Sequence, residues 1–288
     1  MTTLDHKIDF TVIFSVQNAN PNGDPLNGNR PRQNFDGYGE VSDVCIKRKI
    51  RNRMQDAGET IFVQSNERTT DAYKSLRERA DANVELKEVS KGKNADPAMY
   101  EKIACESWFD VRAFGQVFAF KAESKGQGVS VGVRGPVSIH PAISLQPINI
   151  TSLQITKSVN SESGDKKGSD TMGMKHRVDY GVYKFSGSIN TQLAEKTGFT
   201  NEDAEKLKEA LITLFENDAS SARPEGSIEV HKVYWWEHNS KIGQYSSAKV
   251  HRSLQIEAKS ENAQSFEDDF ELSLNELEGL KVNVFDGK

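Results

Sequence analysis

The sequence predicts an α+β fold in which a sheet carries two helices on one face. Residues 8–16 alternate Ile, Phe, Val, Phe and Val with polar or small residues, which is typical of a strand. Residues 201–218 place apolar side chains three and four positions apart, and Thr200 with Asp203 forms a capping-box pattern at their start. A clear strand and a clear helix, far apart in the chain, indicate a mixed fold.

Five further elements complete the predicted pattern. A helix is expected over residues 43–57, with Ser42 as its N-cap and Gly58 after its last turn. Strands are expected over residues 129–139, 148–158, 177–190 and 226–237. The order strand, helix, three strands, helix, strand resembles a modified ferredoxin-like βαββαβ plan, which RNA-recognition motifs also use.

Three segments lie outside that plan. Residues 61–125 mix helical stretches with turn clusters and are predicted to be an insertion with small helices. Residues 158–176 form a polar tract rich in Gly, Ser and Lys, which cannot bury much apolar area and is expected to protrude. Residues 257–278 carry eight acidic residues and one lysine, and are predicted to be a solvated edge or a subunit contact.

Composition and motifs exclude several classes of protein. The chain has 288 residues, of which 36% are hydrophobic and 27% charged, and its mean hydropathy is −0.64. No apolar run approaches the roughly 20 residues that span a bilayer, and residues 1–9 lack an apolar leader, so we expect a cytoplasmic protein with no membrane contact. Cys45 and Cys105 are predicted to be buried thiols, and no spacing indicates a metal, nucleotide or other cofactor site.

The basic residues of the first helix are the main candidates for contact with nucleic acid. The net charge of the chain is −5, so such a contact must use a local patch. Five basic residues lie within residues 47–53, and Lys47, Arg48 and Arg51 share an arc beside the apolar face of the helix. A solvated face is the alternative. A phosphate backbone is favoured because like charges destabilise a helix and the helix N-terminus attracts anions.

The loop before this helix, residues 17–32, is rich in Asn, Gly, Pro and Asp, which favour turns. A mobile connector is one interpretation. Against it, Asn20, Asn22, Arg30 and Arg32 supply hydrogen-bond donors with little apolar bulk. We therefore predict that the loop binds a nucleic-acid backbone.

Two methionines close the polar tract. Met172 and Met174, followed by Lys175, place flexible apolar side chains where burial within the domain is not expected. Composition alone favours disorder here, but an apolar wedge beside a basic residue is one means by which proteins separate stacked bases. The sequence therefore predicts a base wedge at these three residues.

Four motifs together resemble a known family. They are NPNGDP at residues 20–25, VSDVCIKRKIRN at 41–52, FDVRAFGQVF at 109–118 and RGPV at 134–137. In order and content they resemble the backbone subunit of type I CRISPR surveillance complexes, called Cascade, which is the Cas-seven family. Within it, the type I-C form, Csd-two, is the most similar. The motifs cover about the first half of the chain, and the second half agrees in its layout.

The resemblance implies a single hand-shaped domain. Its palm would comprise residues 1–60, 126–157 and 177–288, its finger insertion residues 61–125, and its thumb loop residues 158–176. Copies of the subunit would polymerise along the spacer of the guide RNA (crRNA), and each thumb would displace one base, so that the guide pairs with target DNA in segments.

The resemblance also implies partners and contact residues. The partners would be the guide-processing 5′-end subunit, the large and small subunits, and a recruited helicase-nuclease that cuts in place of this protein. By position in the motifs, Ser42, Lys47 and Arg51 match guide contacts, Asn22 matches the preceding turn, and Met172 matches the thumb wedge.

Two other classes of function stay open. A backbone RNase of the type III kind would use a catalytic aspartate in the loop between the first strand and helix, where Asp24 and Asp36 are available. A generic RNA-binding protein of the RNA-recognition type would bind RNA as a monomer. The first is separable by an RNA cleavage assay and the second by particle size on RNA.

Overall fold

The computed structural model describes residues 2–90, 95–120, 129–159 and 172–288. Most of the predicted thumb loop, residues 160–171, lies outside the described residues, as do residues 91–94 and 121–128 of the chain. The strands are β1 (Ile8–Ala19), β2 (Gly23–Asp24), β3 (Arg30–Pro31), β4 (Tyr38–Val41), β5 (Gly115–Phe120), β6 (Val129–Arg134), β7 (Val137–Ile139), β8 (Ala142–Pro147), β9 (Ile150–Thr156), β10 (Met172–Ile189), β11 (Ile228–Glu237), β12 (Leu254–Ala258), β13 (Phe270–Leu274) and β14 (Val282–Asp286).

The helices of the described residues are mostly short. They are α1 (Asp43–Asp56), α2 (Leu76–Ala82), α3 (Val84–Val89), α4 (Pro97–Ser107), α5 (Phe109–Phe114), α6 (Thr191–Thr197), α7 (Asn201–Ile212), α8 (Ser247–Ser253) and α9 (Phe266–Asp269). The predicted N-cap Ser42 and the capping box of Thr200 and Asp203 are confirmed. The helix predicted over residues 201–218 is α7, which ends six residues before residue 218, because the backbone leaves helical geometry at Thr213, with φ of −108° and ψ of 27°.

An antiparallel sheet of eight strands forms the centre of the molecule. Its order is β14-β11-β1-β10-β8-β4, and β7 and β9 also pair with β10. β1 lies between β10 and β11, with Ile8 opposite Ile189 on one side and Glu237 on the other. The predicted strand 129–139 is two strands, since β6 pairs with β5 outside this sheet and only β7 joins it. β8 was not predicted.

Both faces of β1 are buried, although its alternation predicted one polar face. On the first face, Phe14 stacks on Tyr183 with ring centroids 5.3 Å apart, in the core that α1 and α7 complete. On the second face, Ile13 belongs to a core with Trp236 and Phe270. The strand is therefore the shared wall of two hydrophobic cores.

The acidic C-terminal segment supplies the second core. Phe266 and Phe270 of this segment, and Leu280 just after it, are buried against the sheet, so these apolar residues do not form a solvated edge. The alternative of a subunit contact stays a prediction. Its acidic residues stay on the outside: Glu257, Glu267 and most of the others are exposed. The last 35 residues carry nine acidic and three basic side chains, a net −6, which leaves +1 for residues 1–253.

A buried ionic cluster fastens the loop that follows β11 to β1. The Asp9 carboxylate lies 3.0 Å from Lys7 Nζ and accepts a 2.8 Å hydrogen bond from His238 Nε2. Nδ1 of His238 accepts the backbone N–H of Gln244, so the ring proton resides on Nε2. Burial alone would raise the pKa of Asp9, but hydrogen bonds led by that of His238 outweigh it and hold the pKa well below its ordinary range.

The predicted insertion has a hydrophobic core of its own. Phe62, Tyr100, Trp108 and Phe118 pack together with Val133 of β6. Cys105 is buried in this core, and burial raises its pKa to about 12, whereas Cys45 on α1 is half-buried. The insertion thus folds around its own aromatic residues. It contacts the first core through α5 and α1 through the partners of Arg48 and Arg51.

Candidate nucleic-acid interface

The loop predicted to bind a nucleic-acid backbone is a small, ordered hairpin. β2 and β3 pair through Gly23 with Pro31, and the turn between them ends at Gly28, whose φ of 58° suits glycine. The Asn20 side chain donates a 2.7 Å hydrogen bond to the Asn29 carbonyl and is buried. Asn20 therefore closes the base of the hairpin, with its side chain buried.

Asn22 joins this hairpin to the start of α1. Its Oδ1 accepts hydrogen bonds from both the backbone N–H and the hydroxyl of Ser42, at 2.9 and 3.0 Å. The Ser42 Oγ in turn accepts the Cys45 N–H at 3.2 Å, which caps the helix. The structure thus brings the predicted residues Asn22 and Ser42 into direct contact.

Arg30 and Arg32 line a cleft of about 320 Å³ beside the hairpin, together with Asp24 and Glu40. Arg32 lies 3.5 Å from Asp24 Oδ1, and its Nε is buried without a hydrogen-bond partner. Arg30 reaches out of the cleft and donates a 2.8 Å hydrogen bond to Ser152 of β9. The guanidinium groups are therefore only partly engaged, and each can bind a further acceptor.

Each of the five basic residues of α1 has a partner within the fold, and those of Lys49 and Arg51 come from distant parts of the chain. Arg51 Nε donates to Asp110 Oδ2 at 2.8 Å, Arg53 lies 3.0 Å from Asp56, and Lys49 forms a buried ion pair with Asp218. Lys47 pairs with Asp43 at 3.0 Å on the surface. Arg48 donates to the Val63 carbonyl at 2.6 Å, and burial lowers its pKa, helped by the nearby Arg51. The repulsion that the sequence suggested is relieved within the fold.

Asp110 is the common partner at the junction of α1 with the insertion. Its carboxylate is buried and accepts the backbone N–H groups of Phe62 and Val63, at 2.7 and 3.1 Å, besides the guanidinium of Arg51. The side chain of Arg51 is 12% exposed, against 25% for Lys47. Lys47 is therefore the more accessible of these two residues for a phosphate.

The predicted wedge residues lie on a strand and not in a loop. β10 begins with Met172 and includes Met174 and Lys175. This part of β10 pairs with β9 as a two-stranded ribbon, in which Met172 stands opposite Thr156 and Met174 opposite Gln154. Side chains alternate between the faces of a strand, so the two methionines share a face with His176 and with the buried Val178 of the first core. This is the face of the sheet that carries α1.

The hairpin and the ribbon are connected by a hydrogen-bond chain that the sequence did not reveal. Ser152 Oγ accepts from Arg30 and lies 2.8 Å from His176 Nδ1, to which its hydroxyl can donate. Ser152 and His176 stand opposite each other in the ribbon. The sequence spacing of Met172, Met174 and His176 places them on one face of a strand. The hydrogen bond between Arg30 and Ser152 depends on the tertiary fold.

Of the two loop aspartates, Asp24 has a partner for its carboxylate, whereas Asp36 lies on an exposed turn. Asp24 accepts the Leu26 N–H at 3.1 Å besides facing Arg32, and Asp36 lies in a turn where its N–H donates to Asn34 Oδ1 at 3.0 Å. Among the residues that the structure describes, no group of three or more His, Cys, Asp or Glu side chains is placed to hold a metal ion. Within the same residues, no helix combines the length and apolar character needed to cross a membrane.

Comparison with known proteins shows similarity over most of the chain. A model of the family described as CRISPR-associated protein Cas7 matches residues 6–275. A CRISPR-associated protein Cas7 of Haloferax volcanii is 28% identical over 239 residues, which cover 77% of this chain and 67% of that protein.

Solved structures with a similar chain include a CRISPR RNA-guided surveillance complex in a pre-nicking state, at 16% identity and a TM-score of 0.48, covering 80% of this chain and 78% of that one. A second such complex matches at 15% identity and a TM-score of 0.42, covering 80% and 68%.

Replacing Arg51 by Ala is expected to destabilise the protein, whereas replacing Lys47 by Ala is not. Arg51→Ala leaves a buried carboxylate without its cation, which costs about 3 kcal/mol and lowers the melting temperature by roughly 6–12 °C. Lys47→Ala removes a surface ion pair that contributes less than about 1 kcal/mol. Thermal unfolding followed by circular dichroism measures both. Equal melting temperatures for the two variants would contradict the structural role of Arg51.

Proposed function

Because the chain belongs to the Cas7 family of CRISPR-associated proteins, we propose that it is the backbone subunit of a type I surveillance complex, non-catalytic and bound to the guide RNA. Several copies line the crRNA spacer and present it in segments to the target DNA. The observation that carries this proposal is the convergence of the hairpin, the start of α1 and the methionine ribbon on one side of the sheet, through the contacts of Asn22 with Ser42 and of Arg30 with Ser152.

The contact residues divide into two groups. Asn22, Arg30, Arg32, Ser42 and Lys47 contact the sugar-phosphate backbone, which fixes position without reading sequence. Asn20, Arg48 and Arg51 hold those residues in place through bonds to Asn29, Val63 and Asp110.

The hand-shaped description of the fold belongs to the same proposal. A palm of the modified ferredoxin-like type is supported by the strand sequence β11-β1-β10-β7, by its antiparallel pairing, and by α1 and α7 on one face. A separate finger is supported by the insertion's own core. The four motifs support the type I-C form.

The covered second face of the sheet argues against a generic protein of the RNA-recognition type. Such proteins stack bases on aromatic residues of an open sheet face. Here Tyr234 and Trp236, the aromatic residues on that face of β11, are buried beneath Phe266 and Phe270. RNA must therefore reach this protein at the hairpin side and not across the sheet.

The remaining partners follow from the family role. We propose that the subunit acts in the cytoplasm, that it contacts the guide-processing, large and small subunits, and that a helicase-nuclease is recruited to cut the target. The exposed acidic surface of the C-terminal segment supports a protein partner on that side, since it repels nucleic acid.

The purified protein is expected to cleave neither RNA nor DNA when Mg²⁺ or Mn²⁺ is added. The Asp24 carboxylate accepts a hydrogen bond within its own turn and faces Arg32. Asp36 lies on a separate, exposed turn. Incubation with end-labelled RNA and DNA, resolved on denaturing gels, tests this. Cleavage that disappears in Asp24→Ala or Asp36→Ala would establish the type III kind of RNase instead.

Removing Arg30 and Arg32 together is expected to weaken RNA binding in a salt-dependent and sequence-independent manner. Two lost phosphate contacts on a single strand reduce the slope of log affinity against log salt by roughly 1.4. Fluorescence anisotropy with two unrelated RNAs measures the slope. Lys87→Ala with Lys102→Ala, on exposed faces of α3 and α4, removes the same charge as a control. An equal reduction in that control would reject the hairpin as the binding site.

Replacing Met172 and Met174 by Ala is expected to abolish base displacement. The matched control is Leu153→Ala with Ile155→Ala, on the other face of the ribbon, because these side chains are 44% and 49% exposed against 61% and 55% for the methionines. Guides that carry 2-aminopurine at successive positions report unstacking as increased fluorescence. Periodic fluorescence should persist in the control and vanish in the methionine variant. The reverse result would place the wedge on the opposite face.

A further inference from the structure

Two polar side chains of the ribbon connect it to the hairpin. Ser152 of β9 accepts a hydrogen bond from Arg30 Nη1 at 2.8 Å, and Nδ1 of His176 on β10 lies 2.8 Å from the same Ser152 oxygen. Ser152 is exposed, while Arg30 and His176 are half-buried. The hydrogen-bond chain of Arg30, Ser152 and His176 is therefore open to a ligand.

The Ser152 hydroxyl sets the direction of this hydrogen-bond chain. A guanidinium can only donate, so the Ser152 oxygen accepts from Arg30 and its own proton is left to donate. Among the hydrogen bonds of the described residues, that proton finds its acceptor in His176 Nδ1. Donation from Arg30 polarises the hydroxyl and strengthens its bond to the imidazole. The ring proton of His176 therefore lies on Nε2.

The Nε2–H group of His176 has no partner in the part of the chain that the structure describes, and it is not one of the buried polar atoms there. His176 shares its face of the ribbon with Met172 and Met174, the proposed wedge residues. An available donor thus lies between an arginine proposed to bind phosphate and two methionines proposed to separate bases.

Charge alone gives the cleft beside the hairpin little attraction for a polyanion. Arg30 and Arg32 line this cleft together with Asp24 and Glu40, so its formal charges cancel. Binding there must depend on donors that already point in the right direction. Ser152 restricts the rotamers of Arg30 before any ligand arrives, which lowers the entropy that binding a phosphate costs.

We propose that His176 binds an oxygen of the RNA backbone through Nε2–H, and that Ser152 is the positioning residue that holds both this imidazole and the Arg30 guanidinium in place. His176 in this role deepens the proposed function, on which the role rests, by adding a contact that carries no charge. A neutral donor releases no counterion, so its loss lowers affinity by the same factor at every salt concentration. Loss of an arginine changes the salt dependence as well.

Nuclear magnetic resonance of the RNA-free protein tests the tautomer. The histidine rings are labelled with nitrogen-15, spectra are recorded at mildly alkaline pH, and the signals missing in His176→Phe belong to this residue. Wild type and Ser152→Thr should show a protonated Nε2 and an unprotonated Nδ1. Ser152→Ala should show nitrogen shifts averaged between the two tautomers, and Thr151→Ala, on the other face of β9, should match wild type. A protonated Nδ1 in wild type, or unchanged shifts in Ser152→Ala, would overturn the hydrogen-bond chain.

Binding of a fluorescein-labelled single-stranded RNA across a salt series tests the contact of His176. His176→Phe keeps a ring but has no donor, and it should bind about fivefold more weakly at every salt concentration, as expected for one hydrogen bond. His176→Gln keeps an N–H near the Nε2 position and should bind more tightly than His176→Phe. Wild-type affinity in His176→Phe, or an equal loss in both variants, would reject the contact.

The same series tests the positioning role of Ser152. Ser152→Ala should weaken binding without changing the slope of log affinity against log salt, and Ser152→Thr should restore it. Arg30→Ala, in contrast, should reduce that slope by roughly 0.7. If Ser152→Ala binds RNA as tightly as the Thr151→Ala control, Ser152 does not position these groups.

The wild-type protein separates this contact from the proposed function. Wild type that binds no RNA would contradict both. Wild type that binds RNA with the expected salt dependence, while His176→Phe binds equally well, would leave the proposed function standing and remove the contact alone.

Discussion

The rest of the candidate interface depends on the hydrogen bonds and the ion pair of the buried Asp110 carboxylate. It binds Arg51 of α1 and the backbone of Phe62 and Val63, so one buried group fixes both the helix and the first residues of the insertion. Arg51 anchors the second half of α1, and at the start of the helix Asn22 joins Ser42 to the hairpin. The buried ion pair of Arg51 and Asp110 thus positions the basic side of α1 that faces solvent.

β1 has the corresponding role for the sheet. Its residues contribute to both cores, and the Asp9 cluster binds it to the loop that follows β11. A sheet with both faces covered leaves its edges and its ribbon as the accessible parts. The proposed contacts with RNA use these parts, where the hairpin and the ribbon carry exposed groups.

Features fixed by neighbouring residues were predictable from the sequence, and features fixed by distant ones were not. The helix starts at Ser42 and Thr200 depend on hydrogen bonds within three residues, and both were identified. The partners of Lys49 and Arg51 come from Asp218 and Asp110, so the basic run misleadingly resembled an unpaired cluster. The buried second face of β1 was missed for the same reason, since its cover is more than 200 residues away in the chain.

The charge distribution gives the molecule a direction. The last 35 residues, which cover one face of the sheet and end in β14, carry a net charge of −6. Residues 1–253, which include the hairpin and the helix α1 on the other face, carry a net charge of +1. Such a molecule is an electric dipole and experiences a torque near a polyanion. At physiological salt the field is screened beyond about 8 Å, so the torque acts only in the last step of encounter. A molecule that approaches a polyanion with its acidic C-terminal segment first is therefore repelled within that distance.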